Sequence, residues 1–204
     1  ANPDSYDGTG TSWDDISDAP KYNGTINGAS WDSDGYFDFD GTNDWIQTSY
    51  SPTGLSAISV AFWVNADVVG GAEGLGYINI NGGGRVDYYL LSIANNSSTA
   101  ANESIFLNKT DFIGNWNHVA IVMEGIASSY NTSNTYASST ISAKIYYNGA
   151  FVNTIYPRPY QQTALGLRIG RTGGGYYANG KISKFVAYNN ALTAAEVLGM
   201  YEST

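Results

Sequence analysis

Residues 165–204, LGLRIGRTGGGYYANGKISKFVAYNNALTAAEVLGMYEST, read in succession as strand, turn, strand and helix. Leu167 and Ile169 mark a short strand, a Gly-rich hairpin follows, and residues 181–188 form a second strand. After an Asn-Asn turn, Thr193 and Glu196 have capping-box spacing: the hydroxyl can accept a backbone N–H while the glutamate reaches back to the cap. Val197, Leu198 and Tyr201 then supply the apolar face of one short helix.

Upstream of this ending the chain is patterned for strands. In residues 35–48, GYFDFDGTNDWIQT, Phe37 and Phe39 alternate with Asp38 and Asp40; a turn follows at Asp-Gly-Thr-Asn, and Trp45 and Ile46 resume the strand. Residues 57–65 put Ile58, Val60, Phe62 and Val64 on one face and Ser59, Ala61 and Trp63 on the other. Further strands are expected at 77–80, 86–93 and 104–108. Residues 115–123 are apolar on both faces, which predicts a central strand covered on each side. The best hairpin signal joins residues 141–147 to 151–155 through Asn148-Gly149, a pair that readily takes the positive φ of a type I′ turn. Residues 1–35 are turn-rich, with Trp13, Ile16, Ile26 and Trp31 as the anchors available to pin them to a core.

Composition agrees. Twenty-four Gly and seventeen Tyr among 204 residues favour strands and turns, and the length suits one β-sandwich core. The expectation is a single all-β domain spanning residues 1–204: a two-sheet antiparallel jelly-roll sandwich with one short C-terminal helix. No run approaches the roughly 20 apolar residues that span a bilayer. The net charge is −9, and the nine Lys plus Arg are scattered, so no basic footprint for nucleic acid is visible. The absence of Cys leaves the redox compartment open.

Taken in order, residues 13–31, 35–46, 58–65, 116–123 with 144–152, and 169–197 resemble the laminin-G-like, concanavalin A-like jelly-roll domains. The opening ANPDSYDGTGTSWDDIS is similar to the variant found in phage virion and bacterial surface proteins. That variant has an apolar strand ahead of the Asn-Pro-Asp run. None precedes Ala1, so the chain is expected to be part of a longer polypeptide. The resemblance implies a binding module at an extracellular or virion surface, recognising polysaccharide or contacting other virion or surface chains, and able to form an oligomer. The alternative is a structural capsid-decoration or tail-fibre domain acting through assembly.

Catalysis is the least supported reading. Glycan-cleaving enzymes need paired carboxylates on one face, whereas the five Glu residues are isolated. Asp38 and Asp40 alternate but match an ordinary strand of the fold. His118, the single histidine, is expected to pack. The chain is therefore expected not to be an enzyme.

The resemblance also implies calcium as the one cofactor to test, and its ligands are oxygens gathered from turns. Relatives often use an Asp in the penultimate strand, where this chain has Ser183-Lys184. The remaining candidates are Asp40, Asn43 and Asp44 in the Asp-Gly-Thr-Asn-Asp turn, and Asp87. Sugar platforms need aromatic faces, and Trp63, Tyr88, Tyr146, Tyr176 and Tyr177 are the candidates.

Overall fold

The computed structural model describes residues 4–18, 22–50, 55–67, 113–125, 142–155, 167–171 and 177–203. Within them lie β1 (Ser12–Trp13), β2 (Gly24–Asn27), β3 (Ser30–Asp32), β4 (Tyr36–Asp40), β5 (Trp45–Thr48) and β6 (Ala57–Ala66). These are followed by β7 (Asn117–Glu124), β8 (Ser142–Tyr147), β9 (Ala150–Ile155), β10 (Arg168–Ile169), β11 (Asn179–Tyr188) and the helix α1 (Ala194–Glu202). The small sheet has the order β1-β2-β5-β10, and the large sheet β3-β4-β11-β6-β7-β8-β9. Every pairing within them is antiparallel. The expected strands at 77–80, 86–93 and 104–108 lie outside the described residues.

The core forms where the alternating faces meet. Phe37 and Phe39 of β4, Ile58, Val60, Phe62 and Val64 of β6, and Val119 and Ile121 of β7 share one buried cluster with Ile26, Ile46 and Ile169 of the small sheet. In β4, β6 and β7 every second residue points into this cluster, as the period of two in the sequence requires. Trp13 and Trp31 close one end, their rings 5.1 Å from that of Phe37. Ile16, expected to anchor the N-terminal segment, is instead 54% exposed.

A second apolar layer covers the outside of the large sheet. Ala61 of β6 and Ala120 of β7 are cross-strand partners, and two methyl side chains leave room for a helix to approach. Leu192, Val197 and Met200 fill that space, together with Val122 and Tyr146. Strand β7 is thus covered on both faces, as its sequence predicts. Ser59 fixes the entry to the helix: its hydroxyl accepts the Leu192 N–H at 2.9 Å and donates to the Asn190 carbonyl at 2.8 Å. The capping box forms, with the Glu196 N–H on Thr193 Oγ1 and the Thr193 N–H on Glu196 Oε2. On the helix itself Val197 is buried and Tyr201 packs inward, whereas Leu198 is largely exposed. The β8–β9 turn has positive φ at both Asn148 (47°) and Gly149 (78°), as a type I′ turn demands. Among the described residues no helix is long and apolar enough to cross a membrane.

Candidate functional site

Alternation in β4, β11 and β6 sends one set of side chains outward from the large sheet. The register lines them up in rows. Asp38 pairs with Lys181, which pairs with Asn65; Tyr36 pairs with Ser183, then Trp63, then His118; Asp40 pairs with Asn179. Trp116, just before β7, is 39% exposed, and its ring lies 5.7 Å from that of Tyr36. The Lys181 ammonium sits 5.6 Å from the centre of the Tyr36 ring, a cation–π distance. Helix α1 reaches this face at Trp63, where the Tyr201 ring stacks at 5.8 Å.

The charges on this face are not those of free side chains. Partial burial, and then the neighbouring Asp67, push the Asp38 carboxyl above the ordinary carboxylate range, and Lys181 opposes them. A hydrogen bond to the Asp32 carboxylate raises the Tyr36 hydroxyl. Asn65 is 9% exposed, and its Oδ1 has no hydrogen-bond partner among the described residues. A buried acceptor left unpaired costs about 1–3 kcal/mol, so a ligand O–H or N–H reaching it recovers free energy. Together Asp38, Lys181 and Asn65 place a carboxylate, an ammonium and an amide on three adjacent strands, and Trp116, just before β7, adds an indole ring.

The small sheet presents a different surface. Ile46 and Ile169 point into the core, which turns Trp45, Gln47 and Arg168 outward. Arg168 Nε donates to Gln47 Oε1 at 2.7 Å, and its guanidinium carbon lies 5.4 Å from the Trp45 ring centre. The Arg171 guanidinium lies 5.2 Å from the same ring and 5.4 Å from that of Tyr177.

A family model described as the concanavalin A-like lectin/glucanases superfamily matches residues 40–198, most of the chain. The chain belongs to that superfamily. A Trypanosoma rangeli sialidase mutant displaying trans-sialidase activity matches with a TM-score of 0.66 at 15% identity, over 96% of this chain and 31% of that one. The same sialidase in complex with sialic acid matches at 0.62 and 12% identity, over 96% and 31%. The chain thus spans about a third of the sialidase it matches. Domain 4 of AbnA, an extracellular arabinanase from Geobacillus stearothermophilus solved in complex with arabinotriose, matches at 0.55 and 15% identity, over 87% of both chains. Likeness at these identities is a likeness of fold, shared with carbohydrate-related structures. The comparison with curated proteins gave no match.

In this superfamily member the sugar candidates among the described residues, Trp63, Tyr146 and Tyr177, do not come together in one site. Trp63 is on the large-sheet face, with its ring packed against His118 at 5.5 Å and stacked by Tyr201. Tyr146 is a core residue: it is 4% exposed beneath α1, with Phe151 edge-on at 5.7 Å, so it has no free face to offer a sugar. Tyr177 is on the opposite side of the molecule, against Arg171. Tyr88 and Tyr176 lie outside the described residues, as does Asp87.

The calcium candidates are similarly divided. Asp40 Oδ1 accepts the N–H groups of Thr42 at 2.7 Å and Asn43 at 3.4 Å, an Asx-type turn. Asp44 Oδ2 accepts the Asp40 N–H at 2.9 Å; its side chain is buried, and burial raises its pKa. Calcium takes six to eight oxygens. Among the described residues no three Asp, Glu or His side chains gather to supply the charged part of such a set. Through these hydrogen bonds Asp40 and Asp44 clamp the turn that carries Asn43.

The residues that sequence reasoning passed over are Tyr36, Asn65, Trp116 and Lys181 on one face and Trp45, Arg168 and Arg171 on the other. Alternation did carry a signal for Trp45, which is out of phase with the core residue Ile46. That Arg168 and Arg171 converge on it is a consequence of β5–β10 pairing across more than a hundred residues of sequence.

Proposed function

We propose that this chain is a non-catalytic glycan-binding module of a virion or microbial surface protein, and that it binds through the outer face of the large sheet. The observation that carries the reading is the row Asp38–Lys181–Asn65 beside Trp116, with the Asn65 carbonyl oxygen buried and unpartnered. Sugars present hydroxyl groups that both donate and accept, and a C–H face that packs on an aromatic ring. The Asp38 carboxylate accepts, the Lys181 ammonium donates, the Asn65 amide does both, and the exposed Trp116 ring takes the apolar face. A binding role suits Lys181, whose charge opposes protonation of Asp38.

The test is a glycan array followed by calorimetry on the best ligand, using the wild type, Trp116→Ala and Asn65→Ala. Each substitution is expected to weaken binding about tenfold or more, the loss of one hydrogen bond or one ring contact. Absence of any glycan ligand, or unchanged affinity in both variants, would overturn the assignment. Release of reducing ends by the wild type but not by Asp38→Asn would replace binding with hydrolysis.

Assembly is the second reading, and β9 supports it. This strand is the edge of the large sheet among the described residues, and it exposes Phe151 and Val152. Exposed apolar edges invite pairing with another chain. Light scattering of the wild type against Phe151→Lys tests this: a dimer or larger species dispersed by the substitution supports it, and a monomer throughout removes it.

A further inference from the structure

The outward strand positions of the two sheets differ in the charged residues they carry. On the large sheet Asp38 and Asp40 stand on outward strand positions, with Asp67 just past the end of β6 and Lys181 beside Asp38. On the small sheet the outward strand positions are Ser12, Thr25, Asn27, Trp45, Gln47 and Arg168; none of these is a carboxylate, and the Asp14 carboxylate accepts from Ser12 Oγ at the β1 edge, across the sheet from Arg168. Two of the chain's four arginines converge on Trp45, in a chain of net charge −9.

Arg171 is the central observation. Its guanidinium carbon is 5.2 Å from the Trp45 ring centre and 5.4 Å from that of Tyr177. Its Nε is buried and has no hydrogen-bond partner, and no carboxylate among the described residues pairs with it. A guanidinium is a planar fork of five donors with no acceptor of its own, and its complement is a planar carboxylate. Held by two rings, it has already lost much of the side-chain freedom that binding would otherwise remove. Beside it Gln47 orients Arg168 as a second cation, and Thr25 and Asn27 on β2 add a hydroxyl and an amide at adjacent outward positions.

We propose that the outer face of the small sheet is a second binding site, specific for a sugar bearing a carboxylate. Arg171 and Arg168 take the carboxylate, and Thr25, Asn27 and Gln47 lie within reach of the ring hydroxyls. The site is separate from the large-sheet face, where the carboxylates repel the same ligand. The partner is a sugar because the cluster pairs its cations with neutral hydrogen-bonding side chains around one indole, on a scale of one or two monosaccharides.

The test titrates 3′-sialyllactose and trigalacturonate into the intact chain, with lactose and the trigalacturonate methyl ester as uncharged counterparts. At least one acid is expected to bind about tenfold more tightly than its uncharged counterpart, with affinity falling as salt rises. Arg171→Ala and Arg171→Lys are both expected to lose that preference, because lysine keeps the charge but lacks the fork. Thermal unfolding checks that each variant is folded, and the lysine variant decides if the alanine variant is not. Leu198→Ala, at an exposed position of α1 outside both proposed sites, is expected to leave acid binding unchanged. Equal binding of acid and uncharged forms overturns the proposal, as does full retention of the preference in Arg171→Lys, or binding of neither acid. Self-association lost in Arg171→Ala, without acid binding, would assign the face to a second copy of the chain instead.

Discussion

Tyr201 of α1 lies nearly parallel to Trp63 of β6, ring centres 5.8 Å apart and planes 21° from coplanar, with His118 against both rings. This stack adds to the Leu192, Val197 and Met200 packing that holds the C-terminal helix, and it does so at the edge of the candidate glycan face. Tyr201→Ala is expected to destabilise the fold by about 1–3 kcal/mol, the range for losing an aromatic pair with part of its buried area. It should also red-shift tryptophan emission, because Trp63 gains water. Tyr201→Phe keeps the ring and should keep most of the stability. Equal urea midpoints for the wild type and Tyr201→Ala would show that the stack contributes nothing.

His118 makes stability depend on pH. It is buried at 2% exposure, and burial pushes its pKa from 6.5 down to about 4. The unfolded chain takes up a proton near pH 6.5, while the folded chain stays neutral at this position until about pH 4. Stability is therefore complete above pH 6.5 and falls as pH drops from 6.5 towards 4, by up to about 3 kcal/mol. Urea unfolding at pH 7.5 and pH 5 should show the loss in the wild type and a smaller one in His118→Gln. An identical pH slope in the variant would exclude His118 as its source.

Gly28 and Asp44 are fitted to each other. Gly28 has φ +82°, and a Cβ built there would collide with Asp44 Oδ1. Gly28→Ala is expected to cost about 2 kcal/mol or more, from both the left-handed backbone and the collision. Asp44→Ala alone should cost about 1–2 kcal/mol, since the Asp40 N–H loses its acceptor. The double variant should cost less than the sum, because removing the carboxylate relieves the collision. Strict additivity in chemical denaturation would show that the two residues do not meet.

Much of the fold was legible because its signals are local. The Phe37/Phe39 alternation, the two apolar faces of β7, the Asn148-Gly149 turn and the Thr193–Glu196 cap each depend on residues within a few positions of one another. The site was less legible. Trp63 and Tyr177 were found as aromatics, but nothing near them in sequence shows that they face opposite sides of the sandwich. Tyr146 failed as a candidate because period-two alternation tells which face a side chain takes, not whether a helix covers that face.

The sequence alone determined the class of fold: all-β and antiparallel, closed by one capped helix, with most of the inward-facing residues identifiable. Those properties follow from side-chain alternation and turn chemistry, which act over a few residues. Only the tertiary structure decided which outward residues become neighbours. Asp38, Lys181 and Asn65 form a row, and Arg171 meets Trp45, because β11 inserts between β4 and β6 and β10 adds to β5. Such pairings join segments more than a hundred residues apart, and no local propensity encodes which strand will lie beside which.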